Sequence, residues 1–290
     1  FGELGKLWLA KEDLRKILSD LSAARLEEAN KSSWSTSKKI LSHLRQTVAN
    51  TYRRDLDEAE QSSDWARGYS LRRVAQEVER LERSKIHEIA TFFYESEGRE
   101  TVTGVSKEMT YILAEQGVDE AIAYIKGQRT SLLQHMRTRT AGMHENNRAN
   151  LELLLQTAAL FQAKGDAAGA RALYTDILTL DPDWPEALHA VFGFHVLQGY
   201  LAWVRATLVE VRYEYEEAHR IAKHLVHLDA NNSQWQWDLS VGHELIGNVL
   251  MAQGDMPAAF TTYRVSLTIL ETLVERDPET WELVAPLARN

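Results

Sequence analysis

Proline is missing from the whole of the chain before Pro182; all five, Pro182, Pro185, Pro257, Pro278 and Pro286, lie from there onward. A long proline-free chain whose apolar residues return at every third or fourth position is driven towards helix, because that spacing puts one apolar stripe on successive helical turns. Between Lys6 and Arg67 glycine is absent as well. Leu14, Ile17, Leu18 and Leu21 predict a first helix ending near Asn30, and the polar run Asn30–Ser37 predicts a loop and N-cap. Leu41, Leu44, Val48, Tyr52 and Leu56 predict a second helix to about Gln61. Leu71, Val74, Val78, Leu81, Ile89 and Phe92 predict a third long one over Ser70–Tyr94. Glycines at 98, 104, 117 and 127 then predict shorter pieces: Ser106–Gln116, Val118–Lys126 and Thr130–Met143. No alternating run of β-branched residues is flanked by turn signals, so the expected fold class is all-α. The first three segments form either an antiparallel bundle or a coiled-coil hairpin.

Charge divides the chain. Residues 1–148 carry 24 Lys and Arg against 23 Asp and Glu, and residues 149–290 carry 9 against 19. This places an expected boundary near Asn146–Asn150, with a helical bundle or arm over 1–148 and a second domain over 149–290. An acidic half is a poor match for phosphate backbones and a good one for a basic partner. The absence of cysteine excludes disulfides, thiolate metal ligands and a thiol nucleophile, and fits a reducing, cytoplasmic setting. No stretch reaches the roughly 20 uninterrupted apolar residues of a membrane helix, and the N-terminus lacks a signal pattern, so no membrane partner is expected.

The most specific pattern is LELLLQTAALFQAKGDAAGARALYTDILTLDPD, over Leu151–Asp183. It resembles a tetratricopeptide repeat. The resemblance implies that Ala158 and Ala170 are the small residues at a helix crossing. It makes Phe161 and Tyr174 the aromatics that fill the groove, Gly165–Asp166 the turn, and Asp181–Pro182 the end of the unit. The pattern returns over Leu239–Arg276 with Gly247, Leu250, Gly254–Asp255, Ala259 and Tyr263. This elongated copy is similar to the long repeats of large bacterial multidomain proteins, with Trp235 and Trp281 at successive repeat starts. Ser233 and Gln236 read as a capping box. Between the two copies, Phe192 and His195 stand where the family has a small residue and an aromatic. The stretch from Tyr200 to Asp229 holds neither glycine nor proline and predicts one helix of about 28 residues. GVDEAIAY at Gly117–Tyr124 also resembles a turn and second helix. Over about residues 150–285 the resemblance implies a solenoid of α-hairpins whose surface binds a peptide or protein.

Chemistry-bearing patterns are few. His219, His224 and His227 could approach a metal, but no HExxH completes a site, and they read as solvated or half-buried. GxSxG, SxxK and phosphate-binding glycine loops are absent. Arg53–Arg54 and Arg72–Arg73 are cancelled by Asp55, Asp57, Glu58 and Glu77, which argues against nucleic acid. The expected function is therefore a non-catalytic interaction scaffold without cofactor or metal, self-assembling or binding a basic protein. The alternative is a regulatory or sensor segment of a larger multidomain enzyme or signalling protein. The expected contacts are Tyr200, Trp203, Leu245 and Met256, apolar where repeat surfaces are polar, together with Trp237. Glu210, Glu214 and Glu217 are expected to steer a basic partner.

Overall fold

A computed structural model describes residues 11–21, 36–60, 67–81, 85–96, 104–138 and 144–276, and these are helical apart from short turns. The helices are α1 (11–21), α2 (Thr36–Glu60), α3 (Arg67–Arg80), α4 (Ile86–Ser96), α5 (Gly104–Glu115), α6 (Val118–Thr138), α7 (His144–Ala163), α8 (Ala167–Leu180), α9 (Pro185–Val204), α10 (Leu208–Leu228), α11 (Ser233–Ala252) and α12 (Met256–Arg276). The all-α expectation holds over the described residues. The chain forms two compact units, Phe1–Pro182 and Asp183–Asn290. The expected boundary near residue 148 follows the change in surface charge, whereas the packing boundary comes one hairpin later. The first repeat-like hairpin, α7 and α8, belongs to the first unit because α7 packs on α2, α4 and α6.

In the first unit α2 is the hub. Its stripe Ile40, Leu44, Val48, Tyr52 and Leu56 is buried, and the helix packs against α4, α5 and α7. One helix with several neighbours replaces the expected choice between a simple bundle and a coiled-coil hairpin. The Thr110 hydroxyl of α5 lies 2.9 Å from the Phe93 carbonyl of α4, tying these two together in the core. The stretch expected as a third helix is helical over its described residues, α3 and α4, with Leu81 and Lys85 in π-helical turns on either side of residues 82–84, which lie outside the described set. Helix α6 runs straight through Gly127, where the expectation had a break; a side chain there would meet open space. Glycine costs a helix interior about 1 kcal/mol, too little to end one held by neighbours on its other face. Gly117, with φ 110°, does turn the chain, its N–H bonding to the Ile112 carbonyl as α5 passes into α6.

The second unit is two α-hairpins, α9/α10 and α11/α12, joined through packing of α10 on α11. The expected single long helix over Tyr200–Asp229 is absent: the chain leaves α9 at Arg205, turns through Ala206 at φ 57° and enters α10 at Leu208. Helix α9 is apolar all round and is by length and composition able to span a membrane; most of that apolar window is buried within the protein. Burial on every side accounts for a helix without a polar face.

Candidate interaction surface

Three hairpins share one closing device. In α7/α8 the Asp166 N–H bonds to the Phe161 carbonyl and the Gly165 N–H to Gln162. In α9/α10 the same two bonds run from Thr207 to Ala202 and from Ala206 to Trp203. In α11/α12 they run from Asp255 to Leu250 and from Gly254 to Met251. This paired pattern satisfies the last carbonyls of the first helix and requires a left-handed residue at its centre. Gly165 at φ 75° and Gly254 at φ 82° supply that conformation freely, and Ala206 at φ 57° supplies it under strain. Asp166 and Asp255 then cap the following helices, accepting from the N–H groups of Gly169 (2.8 Å) and Ala258 (3.1 Å). Burial alone would raise the Asp166 carboxyl, but bonds from Lys126 and the Gly169 N–H, with the lysine charge, hold it below the usual carboxylate range.

The second device is a small residue facing a tyrosine. A methyl group on Gly199 would overlap the Tyr215 ring, and one on Gly247 would come 2.5 Å from Tyr263 Cε1. The interval from Gly199 to Gly247 equals that from Tyr215 to Tyr263, so the two contacts are one contact repeated. Gly199 is thus not a turn residue. It is the crossing residue of the middle repeat, two helical turns beyond Phe192, where the sequence reading sought it. A glycine and a tyrosine at the spacing of Gly247 and Tyr263 was the signal that could have located the Ala206 turn.

These contacts decide where the expected site residues lie. Tyr200 is buried with its ring edge-on to Tyr215, and Trp203 is half-buried and stacked on the same ring at 6.5 Å. Leu245 is fully buried in α11. Glu214 is buried, its carboxylate 2.7 Å from His195 Nδ1. Tyr200, Leu245 and Glu214 are therefore core residues and are withdrawn from the contact set. Trp237 is half-buried, and Glu217 is half-buried beside Arg220 at 2.9 Å. Met256 and Glu210 are exposed. The cap of α11 is Asn232 and not Ser233: its side chain accepts from the N–H groups of Gln234 and Trp235. Trp281 lies outside the described residues.

Sequence reasoning missed an exposed ridge on α10. Val209 is 85% exposed and Tyr213 52%, one turn apart, continued by Glu216 and Arg220. Glu210 lies beside Val209 with a carboxylate oxygen 3.0 Å from the Thr207 hydroxyl, and Arg212 pairs with Glu216 at 2.7 Å. Assigning these residues to one long helix disguised the ridge, because it hid the fact that Val209 stands in the first turn of a new helix.

The histidines separate into pairs. His189 Nδ1 is 2.8 Å from Asp238, and His224 Nε2 is 2.9 Å from Asp183. His219 and His243 meet ring to ring at 4.4 Å between α10 and α11. Burial, then His243 and Lys223, lowers His219 to about 4; burial and Lys223 also lower His243. His219 Nδ1 is buried without a hydrogen bond among the described residues. Those residues contain no group of three or more His, Asp or Glu placed to hold a metal ion. The sequence matches no protein-family model, and no curated protein matches it significantly.

Proposed function

We propose that this chain is a non-catalytic protein-interaction scaffold, and that the α10 ridge of the second unit takes a basic segment of a partner protein. One observation carries the reading: Val209 and Tyr213 are exposed on a helix whose other faces are used in packing, and Glu210 and Glu216 flank them. An apolar pair within a charged rim is the arrangement in which burial supplies affinity and the rim supplies orientation and on-rate. The rim pairs are exposed and individually weak, so an incoming Lys or Arg can exchange for Arg212 at little cost. The resemblance to tetratricopeptide repeats supports the same class, since such arrays present helix faces to peptides and proteins. A cytoplasmic setting and a second copy of the chain as partner belong to this proposal.

The test is site-specific photocrosslinking in the source cell, with the photoreactive residue at position 213 and, as a control, at the exposed Tyr111 of the first unit. The expected result is a discrete adduct from position 213 that disappears in Val209→Glu. Mass spectrometry then identifies a basic protein or this chain itself, and light scattering above 33.0 kDa reports the latter. Equal crosslinking from both positions, insensitive to Val209→Glu, contradicts the proposal.

A further inference from the structure

Of the three hairpins that share the closing device, the middle one has a sequence that also fits a straight helix. Leu201, Val204, Leu208, Val211, Tyr215, Ala218, Ala222 and Leu225 keep an alternation of three and four residues from α9 into α10, with no position skipped at the turn. The other two hairpins are held shut by residues that a straight helix rejects. Gly165 would stand in the interior of a joined α7 and α8, where glycine is disfavoured. Gly254 would do the same between α11 and α12, and Pro257 could neither bond the Gln253 carbonyl nor avoid pressing its ring upon it. One period earlier, Ala206 and Val209 stand at the places of Gly254 and Pro257.

The turn itself works against the closed form. Ala206 is held at φ 57°, which glycine adopts freely and alanine at a cost, whereas alanine is the most favourable residue inside a helix. Every member of the alternating stripe is buried in the hairpin except Leu208, which is 38% exposed. Straightening relieves the strain but parts α9 from α10, so the Gly199–Tyr215 and His195–Glu214 contacts then need a partner from elsewhere. A second copy straightened in the same way supplies it. Two such helices, antiparallel about a two-fold axis beside Ala206, put α9 of each copy on α10 of the other. Leu208 then faces Val204 of the second copy, because both lie at the same distance along the chain from Ala206.

We propose that this chain forms an exchanged dimer, in which α9 and α10 join into one helix and α10–α12 of each copy dock on α9 of the other. The joint between α10 and α11 and the α11/α12 hairpin travel as one body, and the His189–Asp238 bond between α9 and α11 is remade between copies. A short, strained link between elements that pack well is the condition under which exchange is cheap. The monomer prevails when dilute, because the link Arg205–Thr207 keeps α10 at a high effective concentration beside α9. Conversion between the two is slow, because the α9/α10 interface has to open first. The surface exchanged is the chain's own core, so the dimer depends neither on the α10 ridge nor on the partner that ridge takes.

The full chain is unfolded in urea, refolded at about 1 μM and at about 0.5 mM, and sized by light scattering after dilution to one concentration. The expected result is a 33.0 kDa species from the dilute refolding and one of twice that mass from the concentrated refolding, which persists after dilution. Ala206→Gly should lower the dimerisation constant about 25-fold, about fivefold for each relieved turn. Val209→Pro should abolish the dimer and leave the monomer folded, since the first turn of α12 carries Pro257 at the same place. Val209→Glu, which disables the ridge, should leave the dimer intact. When copies labelled only in glycine are refolded with copies labelled only in tyrosine, the Gly199–Tyr215 cross-peaks should appear between them. A monomer after every refolding overturns the proposal. So does a dimer that Val209→Glu removes, one that Ala206→Gly leaves unchanged, or one without cross-peaks between the two labelled copies.

Discussion

The α9/α10 and α11/α12 hairpins have the same backbone plan and differ in how strongly their sequences announce it. In α11/α12 the turn holds glycine and aspartate, Gly254 and Asp255; in α9/α10 it holds Ala206 and Thr207. Both make the same pair of turn bonds, so the middle hairpin reaches the left-handed conformation without the residue that adopts it easily. The difference lies in the packing around the tyrosine. Tyr215 is buried under Gly199, Tyr200 and Trp203, whereas Tyr263 is half-exposed with its hydroxyl 2.6 Å from Asn248. Tertiary contact holds the middle turn in place, and turn chemistry holds the last.

The widest separation between the hairpins is expected from adding one methyl group at each crossing. Gly199→Ala should cost about 3 kcal/mol, because the Tyr215 ring is fixed on several sides; Gly247→Ala should cost about 1 kcal/mol, because the Tyr263 ring can move outward. Urea unfolding of the two variants measures both. Equal losses would remove the distinction.

Glu214 gives the next effect. Its counterpart one repeat on is Thr262, which bonds its own helix at 2.8 Å to the Ala258 carbonyl. Glu214→Ala leaves His195 buried without that carboxylate and should cost about 2 kcal/mol, while Thr262→Ala should be nearly neutral. The turns reverse the sign: Ala206→Gly should stabilise by about 1 kcal/mol, and Gly254→Ala should destabilise by a similar amount. Denaturant midpoints report both.

The joints also separate by pH. His219 titrates near 4 in the folded chain and near 6.5 unfolded, and His243 is lowered in the same direction. Between those values the unfolded chain binds more protons, so this stability is present above about pH 6.5 and is lost as pH falls towards 4. The corresponding residue of α12 is Leu267, and His219→Leu should flatten that part of the stability profile. An unchanged slope between pH 7 and 5 would mean that the pair does not respond to burial.

Much of the helical content was legible because stripes such as Leu44, Val48, Tyr52 and Leu56 bury one face whatever their partners are. The outer hairpin turns were legible because Gly165–Asp166 and Gly254–Asp255 state their conformation locally. The turn at Ala206 was not, since only the distant Gly199–Tyr215 contact shows that the chain must reverse there. The same misreading placed Tyr200 and Glu214 on the surface: an apolar or acidic residue beside an unseen turn looks exposed until its partners, Tyr215 and His195, are known. The charge division near residue 148 and the packing division at Pro182 differ because charge reports on solvent-facing side chains, whereas α7 is held by its contacts with α2.

The proximity of Gly199 to Tyr215 carries the rest, and nuclear Overhauser contacts measure it directly. In the hairpin, the Gly199 α-protons and the Tyr215 ring protons lie in contact, and the same cross-peaks are expected for Gly247 and Tyr263. Were residues 199–229 one continuous helix, the first pair would be separated by about 24 Å along its axis, and no cross-peak could appear. Observation of both sets is the result the repeated-hairpin account predicts. Presence of the second set without the first would contradict it.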